Sequence, residues 1–304
     1  MPVTLTTQDG FELVTLTSDA VRLSVVPTLG AKVCSLTDLR TGREWMWSPP
    51  GPRRFFTSEF GSPFPDSTLI GADECLPTIG ACTWNGRHLP DHGEVWSVPW
   101  ALDRTALASD AIVTTVDLAV SPLRLRRRIT LSGATVTFAY AVTNLGEAPE
   151  EFLWAFHPLL TYVEGDRAEF PPGTGRLLME CASFANGRGT LPSVRPSPGI
   201  DLEGLSIAGG SGYAKVFAGP VTTGSAAIVG SGRDRLAYTW DARELPWFGF
   251  WLTRGGWLGH HHPAPEPTTS GCDRLDQAVA ERLGHRHVEA GAVSTWSFTL
   301  TLGR

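Results

Sequence analysis

Hydrophobic and polar residues alternate through most of the chain, and this period of two constrains the fold more than any other feature. Over residues 295–302 every even position is apolar and every odd position is Ser or Thr. This is the period of a β-strand with one buried face, and we expect this C-terminal run to close a sheet. Similar alternation predicts strands over 11–16, 21–25, 31–38, 112–120, 123–131, 135–142, 213–217, 226–229, 236–240 and 248–253. Many short strands separated by turn residues are typical of a β-sandwich or β-barrel.

Only one helix is predicted. Apolar residues recur every four positions from Leu275 to Leu283, which indicates a single buried helix face. Residues 270–273 resemble an N-terminal capping box, and Gly284 supplies a stop. The segment 49–99 is different, because it is rich in Pro, Gly and Trp and shows little alternation. We expect it to form long ordered loops that carry a site.

Length and charge limit the classes of protein that the chain can represent. Its 304 residues, 42% of them hydrophobic, can bury a large core, and we expect one domain over residues 1–304. The formal net charge of -6 argues against nucleic acid as a partner, because nucleic-acid-binding proteins concentrate basic side chains on one surface. The run Arg124, Arg126 and Arg128 has the spacing of the polar face of a strand.

Nothing in the sequence indicates export or insertion into a membrane. The N-terminal residues do not combine a basic start with an apolar run, and no apolar stretch is long enough to cross a bilayer. The five cysteines are odd in number and form no CxxC pair, which fits a reducing compartment. We therefore expect a soluble, cytoplasmic protein without a membrane partner.

Two histidines and a glutamate are the candidates for chemistry. His92, His157 and Glu266 each lie in a segment punctuated by Pro or Gly, where we expect a loop or a strand end over a rigid scaffold. A carboxylate that faces an imidazole can remove a proton at one oxygen while a proton is delivered at another. Structural interpretations stay open: His157 could cap a strand end, Glu266 could be a solvated turn residue, and His92 could pair with Glu94 within its turn.

Metal-dependent interpretations are less favoured. His92 and Glu94 match the first half of a zinc deaminase motif, but no Pro-Cys-x-x-Cys follows. His260, His261 and His262 are adjacent, and neighbouring residues of an extended chain point to opposite faces, so the three do not converge easily on one ion. We expect them at the surface or at the rim of a pocket. We expect no metal and no other cofactor.

Five segments carry a resemblance to a known family. In chain order they are residues 27–45, residues 71–79 with 91–96, His157 before its proline, residues 245–251, and Glu266-Pro-Thr-Thr ahead of the helix. In this order and spacing they resemble the aldose 1-epimerase, or galactose mutarotase-like, family over nearly the full chain. The resemblance implies an all-β fold: a large twisted antiparallel β-sandwich of the galactose mutarotase-like type, with one short helix near the C-terminus and an open groove for a monosaccharide.

The resemblance also implies a function and a set of site residues. An aldose 1-epimerase interconverts the α and β anomers of a monosaccharide by acid/base ring opening. Glu266 would take the proton of the anomeric hydroxyl, and His157 would give a proton to the ring oxygen. An ordinary histidine titrates near neutral pH and could be charged when it donates. His92 would bind the sugar near the ring oxygen or the C-1 hydroxyl, and we expect Asp91 and Glu94, from the same matched segment, at substrate-binding positions.

Other expectations concern the walls of the groove. The family's hydroxyl-binding aspartate lies between the second histidine and the glutamate, and Asp241 and Asp201 are the candidates for it here. The chain has 11 Trp against 4 Tyr, and an indole suits the apolar face of a pyranose. Trp251 is therefore a candidate for sugar binding, although any single Trp could equally fill the core. The tryptophans in or beside the matched segments are Trp84, Trp96, Trp154, Trp247, Trp251 and Trp257.

Two alternative functions stay open. One is a hexose-6-phosphate 1-epimerase of the same fold, for which Arg53, Arg54 or Arg87 could pair with the phosphate. The other is a non-catalytic carbohydrate-binding protein, because fold alone does not establish activity. In each case the partner is a small sugar molecule, and the protein would be a monomer or a homodimer.

Overall fold

The computed structural model describes residues 3–194, 199–232 and 234–303 and is built mainly from β-strands. The strands before residue 160 are Val3–Gln8 (β1), Phe11–Thr17 (β2), Val21–Val26 (β3), Lys32–Asp38 (β4), Ala72–Cys75 (β5), Cys82–Trp84 (β6), Arg87–Leu89 (β7), Ala101–Leu102 (β8), Ala111–Asp117 (β9), Leu123–Ser132 (β10), Thr135–Asn144 (β11), Glu150–Phe152 (β12) and Ala155–Pro158 (β13). Those that follow are Arg167–Glu169 (β14), Leu177–Ala182 (β15), Gly189–Leu191 (β16), Ile200–Asp201 (β17), Ser206–Ile207 (β18), Gly212–Ala218 (β19), Gly224–Val229 (β20), Arg235–Trp240 (β21), Trp247–Arg254 (β22), His261–Thr268 (β23), Arg286–Val288 (β24) and Val293–Gly303 (β25). The helical segments are Leu275–Ala280 (α1) and the short 3-10 segments Phe64–Asp66, Ala106–Ser109 and Ala208–Gly210.

Two large antiparallel sheets contain most of these strands. The larger has 11 strands in the order β1-β2-β3-β4-β5-β13-β23-β22-β19-β15-β16, and the smaller has eight in the order β14-β20-β21-β25-β11-β10-β9-β8. Phe156 of the larger sheet packs against Phe138 and Phe298 of the smaller one, with ring centroids 5.3 and 4.9 Å apart. The sheets therefore face each other across one core, and the predicted all-β sandwich is confirmed.

The C-terminal strand occupies a different place from the one predicted. It lies in the middle of the smaller sheet, between β21 and β11, so it does not close an edge. Its apolar side chains, from Trp296 to Leu302, are all buried, as their alternation predicts. Periodicity identifies the buried face of a strand, but it carries no information about the neighbours of that strand.

The basic run on β10 is the polar face of a strand, as predicted. Arg124 and Arg126 are exposed and Arg128 is half-buried, while Leu123 and Leu125 are buried. Arg127 departs from this simple pattern, because its side chain lies inside the core and donates to Glu74 Oε1 at 2.8 Å. The hydroxyl of Tyr140 donates to the same carboxylate oxygen, also at 2.8 Å. A buried charge is tolerated here because it is paired and hydrogen-bonded.

The predicted helix exists, but its predicted capping box does not. The helix begins at Leu275, and its N-cap residue, Arg274, makes no side-chain capping hydrogen bond. The Ser270 hydroxyl lies earlier in the chain, where it accepts from Cys272 N at 3.3 Å. Gly284 adopts a φ of +89°, in keeping with its predicted role as a stop.

Part of the loop-rich segment 49–99 covers the outer face of the larger sheet, which is the face turned away from the sandwich core, while β5 within the segment is a strand of that sheet. Phe64 and Trp96 from this segment pack in one cluster with Leu159 and Ala264 of the sheet region. The prediction of ordered loops is confirmed in outline, because little regular structure interrupts the segment besides β5, β6, β7 and one 3-10 segment. A partly open cavity lies between this cover and the sheet.

Strands β13 and β23 lie side by side in the larger sheet. Their register is given by the pair Ala155 and Thr268, and continuing it places His157 opposite Glu266. Phe156 faces the core, so His157, one residue further along the strand, faces the outer side. The prediction of a loop or a strand end holds for His157, which is the next-to-last residue of β13, but it is wrong for Glu266, which lies inside β23.

The prolines of β23 explain why the sequence indicated a loop there. Pro263, Pro265 and Pro267 occupy alternate positions, so their backbones point to the same neighbouring strand. On that side lie β13 and the residues that follow it, because Pro263 O accepts from Leu160 N at 2.9 Å. The ladder between β13 and β23 is sparse, and the missing N–H groups of the prolines disrupt little pairing.

Candidate active site

A cavity of about 240 Å³ lies between the outer face of the larger sheet and the covering loops. Four of the predicted site residues line it: Asp91, His92, His157 and Trp251. Glu266 has no exposed surface and lies beside His157 beneath the cavity floor. The full lining consists of Phe64, Pro65, Ile79, Asp91, His92, His157, Leu159, Cys181, Lys215, Trp251, Trp257, His262 and Asp273.

The two carboxylate oxygens of Glu266 have different surroundings. Oε2 accepts a hydrogen bond from the ammonium of Lys215. Oε1 lies 3.7 Å from His157 Nε2, and no hydrogen-bond partner satisfies it. The distant segments that carry His157 and Glu266 therefore do converge, and one carboxylate oxygen is left free beside the imidazole.

Lys215 reaches Glu266 across a position that has no side chain. In the ladder of β22, Gly249 is paired with Glu266 on one side and with Phe217 on the other. A Cβ atom at Gly249 would lie 3.3 Å from Glu266 Oε2 and 3.2 Å from Phe217 Cε1. The glycine therefore leaves the space in which the Glu266 carboxylate meets the lysine.

Burial and pairing act in opposite directions on this ion pair. Burial raises the pKa of Glu266, and the charge of Lys215 partly offsets the rise. Burial opposes the charge of Lys215, but the carboxylates of Glu266 and Asp273 outweigh it and raise the lysine pKa. Lys215 therefore stays charged, and it favours the ionised form of Glu266 in a site that would otherwise protonate it.

His157 is neutral in this environment. Burial lowers its pKa well below the usual value of 6.5, and nearby positive charge lowers it further. Its Nδ1 atom is buried and has no hydrogen-bond partner. Asp73 of β5 is the ladder partner of His157, and its carboxylate is held by Lys32 Nζ at 2.6 Å. The expectation that the imidazole is charged before it donates a proton does not hold here.

His92 lies on a turn, as predicted, and covers the cavity from above. Its φ of +58° is in the left-handed region, and its ring stacks on Phe64 with centroids 4.0 Å apart. Its Nδ1 atom lies 3.0 Å from Asp91 Oδ1, and Asp91 Oδ2 also accepts from Phe64 N at 3.0 Å. The pKa of Asp91 is lowered, because these hydrogen bonds and the charge of His92 outweigh its burial. The ring of His157 meets that of His92 edge-on at 5.1 Å.

Three predicted site residues lie elsewhere. Glu94 is buried, and its carboxylate accepts from the Val120 and Ser121 backbone N–H groups and from the Ser121 hydroxyl, so it holds a loop and not a sugar. Asp241 is on an exposed turn, where it pairs with Arg243. Asp201 caps its own turn by accepting from Gly204 N at 2.9 Å. Glu94, Asp241 and Asp201 do not line the cavity.

The tryptophans divide between the core and the cavity. Trp251 and Trp257 line the cavity and meet edge-on at 6.0 Å. Trp154 lies in the sandwich core, where it packs on Trp296 at 5.1 Å and donates from Nε1 to Glu74.

Among the described residues no group of three or more His, Cys, Asp and Glu side chains is arranged to hold a metal ion. None of the described helices has the length and hydrophobicity needed to cross a membrane.

Sequence reasoning missed Lys215 and Asp273, and it placed His262 only as one of three adjacent histidines at the surface or the rim of a pocket. Lys215 is one of only two lysines in the chain and stands in an otherwise apolar strand, which was a signal for a buried partner. His262 is four residues before Glu266, so it shares its strand face once β23 is recognised as a strand. Asp273 Oδ1 is buried 3.8 Å from Lys215 Nζ without a hydrogen-bond partner. Its sequence context suggested only a helix cap.

Comparison with known proteins agrees with this architecture. The chain resembles the Slr1438 protein of Synechocystis at 17% identity, with 96% of this chain and 95% of that chain covered and a TM-score of 0.71. It resembles a galactose mutarotase related enzyme from Lactobacillus acidophilus at 16% identity, with 96% and 97% covered and a TM-score of 0.70. A galactose mutarotase-like protein from Clostridium acetobutylicum is 13% identical, with 100% and 98% covered and a TM-score of 0.71.

These likenesses show a galactose mutarotase-like fold. No curated protein matches the chain. The family model for aldose 1-epimerase matches residues 12–170, which is just over half of the chain. The matched segment includes His92 and His157 from the candidate site. The chain belongs to the aldose 1-epimerase family.

Proposed function

We propose that the protein is an aldose 1-epimerase that interconverts the α and β anomers of a neutral, unphosphorylated monosaccharide. One observation carries the proposal: Glu266 Oε1, buried and without a hydrogen-bond partner, lies just beneath the floor of a small cavity, 3.7 Å from Nε2 of the floor residue His157. The cavity volume of about 240 Å³ is below the ~300–1,000 Å³ usual for drug-sized ligands, which suits a single sugar ring.

Ring opening requires two proton transfers that leave the enzyme unchanged in total charge. Glu266 accepts the proton of the anomeric hydroxyl and passes a proton to Nε2 of His157, while the Nδ1–H group of the same imidazole gives its proton to the ring oxygen, and the bond between C-1 and that oxygen breaks. The aldehyde rotates about the bond from C-1 to C-2, and reclosure reverses the transfers. His157 stays neutral throughout, because its Nε2 atom, 3.7 Å from Glu266 Oε1, gains a proton as its Nδ1 atom loses one.

Lys215 is a positioning residue in this scheme. Its ammonium donates a hydrogen bond to Oε2 of Glu266, so Oε1 is the carboxylate oxygen that is free to accept a proton. Its charge also opposes the protonation that burial favours, so the carboxylate is available as a base. A raised carboxylate pKa makes a stronger base than an exposed glutamate, provided that the group stays ionised at the working pH.

No observation favours the sugar-phosphate alternative. The three candidate arginines lie outside the cavity: Arg53 donates to the carbonyls of Cys34 and Met46, Arg54 pairs with Asp9, and Arg87 pairs with Glu150. The cavity lining contains the carboxylates of Asp91 and Asp273, and its lysine, Lys215, already forms an ion pair with Glu266. A phosphate dianion would meet repulsion there.

The proposal is tested by exchange NMR between anomers across a panel of aldoses and their 6-phosphates. We expect wild type to accelerate exchange for at least one neutral aldose. Glu266→Gln and His157→Asn should each lower that rate by about 10²–10⁴, the usual contribution of one acid or base group. Glu94→Gln is a matched carboxylate control, because its carboxylate lies outside the cavity. If no aldose exchanges faster with wild type than with the variants, the proposal is rejected, and calorimetric binding without exchange would favour a carbohydrate-binding protein.

A further inference from the structure

The cavity wall includes a buried imidazole, that of His262, which the proposed reaction does not use. His262 has no exposed surface, yet it lines the cavity. Neither its Nδ1 nor its Nε2 atom has a hydrogen-bond partner among the described residues. A buried polar group without a partner is unfavourable, and native structures usually provide one from the protein, from water or from a ligand. The position of this imidazole at the cavity wall points to a ligand.

The place of His262 in the strand separates it from the reacting groups. His262, Ala264 and Glu266 follow one another on the same face of β23. At ~3.3 Å per residue, the Cα atoms of His262 and Glu266 are about 13 Å apart. Ala264 between them is small, and its ladder partner Trp251 provides an apolar wall. The cavity floor is therefore polar at both ends and apolar in the middle.

This order of groups matches the shape of a pyranose. A sugar ring that presents its C-1 hydroxyl to Glu266 lays its apolar face over the middle of the floor and extends its remaining hydroxyls away from the reacting end. Trp251 can then cover the C–H face of the ring. The hydroxyls remote from C-1 lie toward His262.

The chemistry of His262 favours a hydroxyl over an anion. Burial lowers its pKa to about 3, so the ring is neutral at physiological pH and has one N–H donor and one acceptor nitrogen. A hydroxyl also donates and accepts, whereas a carboxylate or phosphate only accepts. Trp47 and Trp257 hold the ring in place, with centroids 4.7 and 6.0 Å away. The imidazole is therefore fixed in direction before the sugar arrives.

We propose that His262 is a specificity-determining residue that binds one hydroxyl of the sugar at the end remote from C-1. The inference rests on the proposed function for the orientation of the sugar. It adds a subsite that selects among aldoses by the position and configuration of that hydroxyl. An aldose that lacks the hydroxyl, or that carries a charged group in its place, leaves the buried nitrogens unpaired and binds more weakly.

Calorimetric titration with a set of monodeoxy aldoses tests the subsite. The wild type should bind one monodeoxy analogue about tenfold more weakly than the parent sugar, as expected for one lost hydrogen bond. His262→Phe keeps a ring in the same place but removes both nitrogens, and it should bind that analogue and the parent equally. The same variant should raise KM with little change in kcat, since the contact is remote from the reacting atoms. A change in the His262 ring ¹⁵N shifts on addition of the sugar provides a readout independent of turnover.

His260→Phe is the matched control. His260 packs on the same indole of Trp47, with centroids 4.8 Å apart, but it does not line the cavity. It should leave the preference among deoxy analogues unchanged. If His262→Phe weakens the parent and every analogue by the same factor, the imidazole is structural and the inference is overturned. Wild-type binding that depends on His262 without any anomer exchange would reject the proposed function and keep the subsite, whereas absence of binding by every aldose would overturn both.

Discussion

The charge state of Glu266 depends on one neighbour. A carboxylate without exposed surface protonates readily, because burial penalises its ionised form. Lys215 is the only cation that donates a hydrogen bond to it in the described chain. A carboxylate acts as a base only when it is deprotonated, so catalysis is lost as the pH falls through the pKa of Glu266. This decline forms the acid limb of the pH profile of kcat/KM. The pH at which it occurs therefore measures how far Lys215 shifts the pKa of Glu266.

Replacement of Lys215 by Met should move the acid limb of kcat/KM to higher pH. The pKa of Glu266 is already raised above 4.5, and Lys215 is the main group that opposes the rise. Without the lysine the pKa rises further, so a larger part of the enzyme is protonated and inactive near neutral pH. The pH profile of anomer exchange, corrected for the spontaneous reaction, measures the shift.

Two further variants separate this effect from damage to the fold. Lys215→Arg retains a positive charge and should keep the limb closer to that of wild type. Lys32→Met removes the other buried lysine and leaves Asp73 unpaired. It should lower the thermal midpoint to a similar extent while moving the limb less. An acid limb that stays in place in Lys215→Met would show that Glu266 is not the base or that the lysine does not control it.

At the scale of elements, periodicity located the strands with a clean buried face and failed where proline interrupts it. Residues 135–142 and 248–253 were predicted as strands and lie within β11 and β22. β23 was missed, since Pro263, Pro265 and Pro267 are strong loop signals in isolation. Only the sheet order shows that all three point toward a sparse ladder. Glu266 was therefore identified as a residue, but its strand was not.

Gly249→Ala tests whether the shape of β22 controls the base. The added methyl group would lie 3.3 Å from both Cβ and Oε2 of Glu266, so the carboxylate must shift by a few tenths of an ångström. We expect kcat to fall by about tenfold, because small misplacements of a catalytic group are costly. Gly303→Ala, which meets no atom within 4 Å, is the control and should be neutral. Wild-type exchange rates in Gly249→Ala would show that the carboxylate position is not critical.

At the scale of the whole molecule, the site exists because strands distant in sequence are neighbours in the larger sheet. The order β5-β13-β23-β22-β19 brings Asp73, His157, Glu266, Gly249 and Lys215 onto adjacent strands. The motifs predicted the fold class and the pairing of Glu266 with His157, because their order along the chain resembles a known family. Lys215 was not placed, since a strand's neighbours depend on the tertiary fold and not on its own residues. Glu94 was misplaced for a related reason, because adjacency to His92 in sequence did not give it the same surroundings.

Removal of residues 293–304 should unfold the protein, because β25 is an interior strand of the smaller sheet. It pairs with β11 on one side and β21 on the other, and it buries Trp296, Phe298, Leu300 and Leu302. Each such side chain contributes about 1.5–3 kcal/mol when buried, so their loss is comparable with the roughly 5–15 kcal/mol of a whole domain. Thermal unfolding followed by near-ultraviolet circular dichroism should show no cooperative transition. Removal of residues 1–8, which include the mostly exposed edge strand β1, is the control and should leave a transition at lower temperature. A cooperative transition after loss of β25 would mean that the sandwich core is completed without its central strand.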